Sequence, residues 1–127
     1  AANQNHIKAI ILLASIYYDG AYFGQDISKA IYYLTIAADH NDVDSQFILG
    51  SIYYNNKTCE NINKSIFYLE LASKQNFSLA QDLLGFIYER GEKVQKDINK
   101  AIHYYKLSAL QNDPRALTNL GYIYYDR

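Results

Sequence analysis

"LGFIYERGEKVQKDINKAIHYYKLSA", residues 84–109, decides the fold. Within it a Leu-Gly pair precedes Tyr88 by a fixed step, a polar linker follows, and Asp97 opens a second apolar run. The same order recurs along the chain. Leu13-Ala14, Leu49-Gly50, Leu84-Gly85 and Leu120-Gly121 stand 36, 35 and 36 residues apart, and Tyr17, Tyr53, Tyr88 and Tyr124 each follow by the same step. A second block keeps time with the first: "DISKAIYYLTIAA" from Asp26, "NINKSIFYLELAS" from Asn61 and "DINKAIHYYKLSA" from Asp97. The missing residue falls between Tyr53 and Lys64, so it is a loop deletion. The opening "AANQNHIKA" matches "AADHNDVDS" from Ala37 and "ASKQNFSLA" from Ala72. A fixed period of this length marks an array of supersecondary units. We divide the 127 residues into a partial repeat at 1–8, repeats at about 9–44, 45–79 and 80–115, and a partial repeat at 116–127. The whole is expected to be a segment of a longer solenoid.

Each unit reads as two helices. In the first, Ile10, Leu13, Ala14 and Tyr17 fall at i, i+3, i+4 and i+7, which makes one apolar face; in the second, Ala30, Tyr33, Leu34 and Ala37 repeat that spacing. Small residues at Ala14, Gly50, Gly85 and Gly121 let a facing helix approach, and Tyr33, Tyr68 and Tyr104 are expected to fill the space beside them. The second helix is expected to start at Asp26, Asn61 or Asp97, whose short side chains accept hydrogen bonds from the free N–H groups of a first turn. It should end near Asn41, Asn76 or Asn112, because asparagine is the best non-glycine residue for the left-handed turn that closes a helix. Asp113-Pro114 then opens a final helix, with proline where no N–H is missed. No strand pattern remains.

Composition narrows the function. Half of the residues are hydrophobic and 20% are charged, the balance of a globular domain. A formal net charge of −1 leaves no basic field to gather phosphates, which argues against nucleic acid despite fourteen tyrosines. The longest mainly apolar run, residues 10–16, is far short of the roughly 18 residues of a membrane span, so no membrane insertion is expected. The single cysteine, Cys59, excludes an internal disulfide and a cysteine-rich metal site, and reads as a loop thiol. Sequons at Asn56, Asn63 and Asn76 keep a secretory route open and do not fix the compartment.

These residues resemble the Sel1-like repeat family, a relative of the tetratricopeptide repeat. The third repeat carries Ala80, Leu84, Gly85, Tyr88, Gly91, Val94, Asp97, Lys100, Ala101, Tyr105 and Ala109 in the family positions. The first keeps Ala9, Leu13, Tyr17, Gly20, Asp26, Lys29, Ala30, Ala37 and Ala38, and the second replaces the loop glycines by "NNKTCEN". Tyrosine stands where the family often has tryptophan, and asparagine where it has the turn glycine. The resemblance implies an all-α, right-handed superhelix of helix-turn-helix repeats that serves as an adaptor or scaffold for a protein or peptide partner. A cysteine-rich branch of the family is linked with beta-lactam hydrolysis, and its paired cysteines are absent here.

The tyrosine pairs then divide. The first of each pair is core by spacing. The second, at Tyr18, Tyr54 and Tyr125, lies about 100° further round the helix, on a stripe with Ile11, Ser15, Phe47, Ser51, Thr118 and Tyr122. By analogy with the tetratricopeptide family, that stripe lines the concave face, where solenoids bind ligands. In the third repeat the same stripe holds Asp82, Phe86 and Glu89, with Arg90 beside them, so the groove turns from aromatic to charged. We expect these thirteen residues to contact the partner, with the rings as anchors and Arg90 available to a carboxylate.

No catalytic constellation can be assembled. His6, His40 and His103 sit at non-equivalent repeat positions without metal-ligand spacing, and His40 suits the end of a helix. Gly20, Gly24 and Gly91 belong to interhelix loops and form no phosphate loop. No catalytic residue, metal or cofactor is therefore expected. Apolar surface at the first and last helices adds self-association by end stacking as a further expectation.

Overall fold

The computed structural model describes residues 4–20, 24–57 and 60–125; Cys59 and Arg127 lie outside them. Among the described residues there are seven α-helices and no strand: α1 (Gln4–Asp19), α2 (Ile27–Asp39), α3 (Val43–Asn55), α4 (Ile62–Lys74), α5 (Ser78–Arg90), α6 (Ile98–Ala109) and α7 (Pro114–Tyr125). Each packs chiefly on the helix before and the helix after it, which is the contact pattern of a solenoid.

The starts of α2, α4 and α6 follow the sequence reading. Asp26, Asn61 and Asp97 have extended backbones, and their side chains accept the N–H of Lys29, Lys64 and Lys100 at 3.1, 3.0 and 3.0 Å. Each such cap stabilises its helix by about 1 kcal/mol. The cap residue's own N–H donates back to the tyrosine carbonyl of the preceding helix: Asp26 to Tyr17 at 2.9 Å, Asn61 to Tyr53 at 2.8 Å and Asp97 to Tyr88 at 3.0 Å. That bond closes every hairpin.

The ends also follow. Asn41, Asn76 and Asn112 have φ of 68°, 64° and 61°. After α2 and α4, the asparagine N–H bonds three residues back and the next N–H five residues back, as in Asn41 to Ala38 and Asp42 to Ala37. This paired closure satisfies carbonyls that the helix end would leave free. The loops after α1 and α5 use glycine instead, at Gly20 (φ 72°) and Gly91 (φ 64°). A Cβ on Gly91 would lie 2.5 Å from the Lys96 Cβ, so the close loop return and the positive φ both demand glycine. The second repeat dispenses with it: Asn56 leaves α3 with an extended φ of −82°.

The tyrosines pack differently from the expectation in one respect. Gly50 faces Leu69 of α4 and Gly85 faces the Tyr105 ring of α6, so Leu69 and Tyr105, not Tyr68 and Tyr104, occupy the space beside the small residues. Tyr33, Tyr68 and Tyr104 instead lie face to face with Tyr17, Tyr53 and Tyr88, at centroid separations of 5.9, 6.2 and 6.2 Å and interplanar angles of 6°, 11° and 7°. Lys29, Lys64 and Lys100 put their ammonium groups 5.1, 5.4 and 4.9 Å from the centroids of Tyr17, Tyr53 and Tyr88. A lysine in a first turn opposes the helix dipole. A cation over a tyrosine face contributes about 0.5–1 kcal/mol at such sites, which offsets that penalty.

Covering by a neighbour decides which members of the apolar face are buried. Leu49 and Leu84 are fully buried, whereas Leu13, at the same repeat position, is exposed. Tyr53 is buried against α4, Tyr17 and Tyr88 are half-buried, and Tyr124 on α7 is exposed, with no ring of the described residues stacked on it. Gly121 has open space where Gly50 and Gly85 have a packed side chain.

A polar ladder runs through the array that the periodicity did not single out. Gln46 and Gln81 are buried at equivalent positions. Their amides donate to Ala38 O at 3.1 Å and Ser73 O at 3.3 Å in the preceding helix, and their oxygens accept from Gln75 and Gln111, each at 2.9 Å. Buried amides with partners on both sides fix the register of hairpin on hairpin.

Candidate interaction groove

The odd-numbered helices share one side of the array. A groove of about 630 Å³ crosses it, lined by Phe47, Ser51 and Asn55 of α3, Leu79, Asp82, Leu83 and Phe86 of α5, and Pro114, Arg115, Thr118 and Asn119 of α7. Five of the thirteen predicted contact residues meet there: Phe47, Ser51, Asp82, Phe86 and Thr118. Phe86 is 40% exposed, and Phe47 leans on the Phe77 ring at 5.4 Å. Ser51 and Thr118 each donate to their own helix, to Phe47 O and Pro114 O at 2.9 Å, which leaves their oxygens free to accept.

Two smaller concavities flank this groove. Tyr18 and Ser51 line one of about 210 Å³, where the Gln25 amide donates to Tyr18 O at 2.9 Å. Glu89, Arg90 and Tyr122 line another of about 540 Å³. Ile11 is half-buried in the α1–α2 core, Ser15 is exposed, and Tyr125 is 91% exposed at the end of α7; none of them lines these three concavities.

Tyr54 sits elsewhere. It is 8% exposed within the core cluster around Leu69 and Leu84, and Lys93 covers its ring at 4.1 Å from the centroid. The same ammonium bonds Tyr54 O and pairs with Glu60 at 2.6 Å, so the loop after α5 is fastened over the loop after α3. A lysine 39 residues distant supplies that cover, and helical periodicity carries no sign of it.

The charged end of the stripe is largely engaged within the protein. Arg90 pairs with Glu92 and its guanidinium lies 5.6 Å from the Phe86 centroid. Glu89 accepts the Tyr105 hydroxyl at 2.8 Å. Burial, and then the Glu89 carboxylate, push the Tyr105 phenol far above its ordinary range. His40 closes α2, with Nδ1 2.9 Å from Ile36 O. Among the described residues no three His, Cys, Asp or Glu side chains are grouped to hold a metal ion, and no helix is long and apolar enough to cross a membrane.

Comparison with known proteins agrees with the fold. Residues 7–42, 43–77, 78–113 and 114–126 match the family model of the Sel1 repeat. A Sel1 repeat protein from Oxalobacter formigenes superposes with a TM-score of 0.83 at 29% identity, over 94% of this chain and 49% of its own. A protective antigen present in uropathogenic Escherichia coli strains, displaying an SLR fold, gives 0.84 at 30% identity, over 94% of this chain and 26% of its own. The chain thus spans about half of the first and a quarter of the second. Helicobacter pylori cysteine rich protein B shares the fold, with a TM-score of 0.68 at 21% identity over 87% of this chain and 91% of its own. No curated protein matches the sequence. Sel1 repeats are generally protein–protein interaction modules, and proteins built from them are typically non-enzymatic scaffolds.

Proposed function

The chain belongs to the Sel1 repeat family, and from that premise we propose that it is an interaction scaffold whose groove along α3, α5 and α7 takes a peptide segment of a partner protein. The observation that carries this reading is the exposed Phe86 ring, set in a concavity whose volume falls in the range of ligand-binding sites. Phe47, Leu83 and Phe86 form the apolar floor, and the Ser51 and Thr118 oxygens accept from peptide N–H groups. Tyr18 and Tyr122 extend the surface to either side. Tyr54 and Asp82 act beneath it as supports, and the remaining stripe residues, Ile11, Ser15, Glu89, Arg90 and Tyr125, are its flanks.

Peptides selected from a displayed library on the wild-type protein provide the test. Phe86→Ala should weaken the selected peptides about tenfold or more, a loss of about 1.4 kcal/mol or greater, with unchanged circular dichroism. Leu110→Ala, at an exposed position outside the groove, should leave affinity unaltered. Equal binding by the Phe86 variant would remove the groove from the reading.

A second reading rests on the exposed apolar side chains at the two ends, Leu12 and Leu13 on α1 and Leu117 and Tyr124 on α7. These surfaces match positions that are covered in the middle of the array, and stacking of a second copy would cover them. Light scattering at rising concentration should then show mass above the monomer, and a constant monomer mass discards this role.

A further inference from the structure

The turn between α6 and α7 brings ionisable groups of three elements against α5. The Asp82 side chain is 12% exposed, and neither of its oxygens accepts a hydrogen bond of ordinary geometry. The Arg115 Nε stands 3.7 Å from the Asp82 Oδ2 and 3.5 Å from the Asp113 Oδ1, so one guanidinium edge faces both carboxyls, and the Ser108 hydroxyl of α6, without a hydrogen-bond partner, lies on the same side. Asp113 is also buried, and its carbonyl accepts the first helical bond of α7, from the Leu117 N–H. Its carboxylate already holds the Arg115 backbone N–H at 2.9 Å and the Arg115 guanidinium at 3.4 and 3.5 Å. The Tyr105 phenol of α6 also lies near Asp82, and its hydroxyl is tied instead to Glu89 at 2.8 Å.

Two adjacent carboxyls shut off from water cannot both carry charge without a large cost, and the one with fewer donors takes the proton. Asp82 is that one. Burial pushes it up to about 6, with the Ser108 hydroxyl acting against the rise and the Asp113 carboxyl adding to it. For Asp113, burial acts upward, but the hydrogen bonds from Arg115 outweigh it and hold this carboxyl at about 2. A protonated Asp82 can donate to the Asp113 carboxylate and join α5 to the start of α7. An ionised Asp82 repels that carboxylate and keeps only the long ion pair to the Arg115 Nε at 3.7 Å.

We propose that Asp82 and Asp113 form a proton-controlled latch: with one proton between them α7 is clamped to α5, and with none the clamp loosens and the wall that α7 contributes to the groove moves. The sign follows from linkage. The raised group favours the folded junction at low pH and loses that contribution as pH rises from its unfolded value near 4 through about 6. The depressed group contributes above pH 4 and is lost towards pH 2. The clamp is therefore tightest near pH 4 to 5 and loose above pH 6.

The experiment needs no ligand, so its outcome is independent of the peptide reading. Side-chain carboxyl carbons of the wild-type protein are titrated by NMR while protection factors of the α7 amides are followed by hydrogen exchange. We expect Asp82 to titrate near pH 6, and α7 protection to fall about tenfold from pH 5 to pH 7, because each pH step between the open and closed titration points multiplies the opening constant by about ten. Asp82→Asn, which keeps a donor toward Asp113 at every pH, should hold the high protection throughout. Three results overturn the latch: Asp82 titrating near 4 in the wild type, α7 protection that ignores the Asp82 titration, or an Asn variant with unchanged pH dependence. Where the variant fails to fold, the wild-type titration alone decides.

Discussion

Replacing Tyr105 by alanine is expected to cost about 3–5 kcal/mol of folding stability, the largest loss from any single side chain in this protein. The ring is fully buried and its edge fills the space left by the missing side chain at Gly85. A helix glycine on one side and a ring on the other form a fitted pair, so truncation leaves a void that neither backbone can collapse into. Against a typical total of about 5–15 kcal/mol, such a loss brings the array close to unfolding. Urea denaturation followed by circular dichroism measures it. Tyr105→Phe keeps the ring and removes only the bond to Glu89, so it should cost about 0.5–1.5 kcal/mol. A Phe variant as damaged as the alanine variant would shift the explanation from packing to the hydroxyl.

The second large effect is a contrast between two tyrosines at the same repeat position. Tyr53→Ala should lose about 3–4 kcal/mol, because a buried ring, its stack on Tyr68 and the Lys64 cation above it all go together. Tyr124→Ala should change stability by no more than about 0.5 kcal/mol, because Tyr124 is 54% exposed and no ring of the described residues stacks on it. Melting or urea curves of the two variants side by side give the comparison. Equal losses would mean that the tyrosine acts within its own helix and not through the stack.

The helix boundaries were legible because their signals are local. A cap needs only a short polar side chain and the next three residues, so Asp26, Asn61 and Asp97 announce themselves, as do Asn41, Asn76 and Asn112 at the left-handed turns. The packing partners of the small residues were harder. Tyr33, Tyr68 and Tyr104 share an identity that suggests a shared core role, yet the glycine-facing position is held by Leu69 in one hairpin and Tyr105 in the next. There the geometry repeats and the residue type does not. The groove was legible in part: Phe47, Ser51, Asp82, Phe86 and Thr118 do line one concavity, since helical periodicity is enough to say which side of α3, α5 and α7 each occupies. Tyr54 shares that periodicity, but its surroundings depend on where Lys93 reaches from a distant loop, and no period encodes that contact. Gln46 and Gln81 had a signal that could have found them, an amide recurring in the middle of an otherwise apolar face.

The two kinds of connection differ in what they constrain. The stretch after α3 is one residue shorter than its counterparts and lacks their glycines, yet Asn61 still returns its N–H to Tyr53 and the Tyr53 and Tyr68 rings still stack as in the other hairpins. The connection from one hairpin to the next is held by a left-handed asparagine every time, always two residues before the next helix begins. The advance along the array is thus geared by the asparagine corners, while the crossings inside each hairpin carry slack, and it is there that the chain can gain or lose residues without altering its pitch.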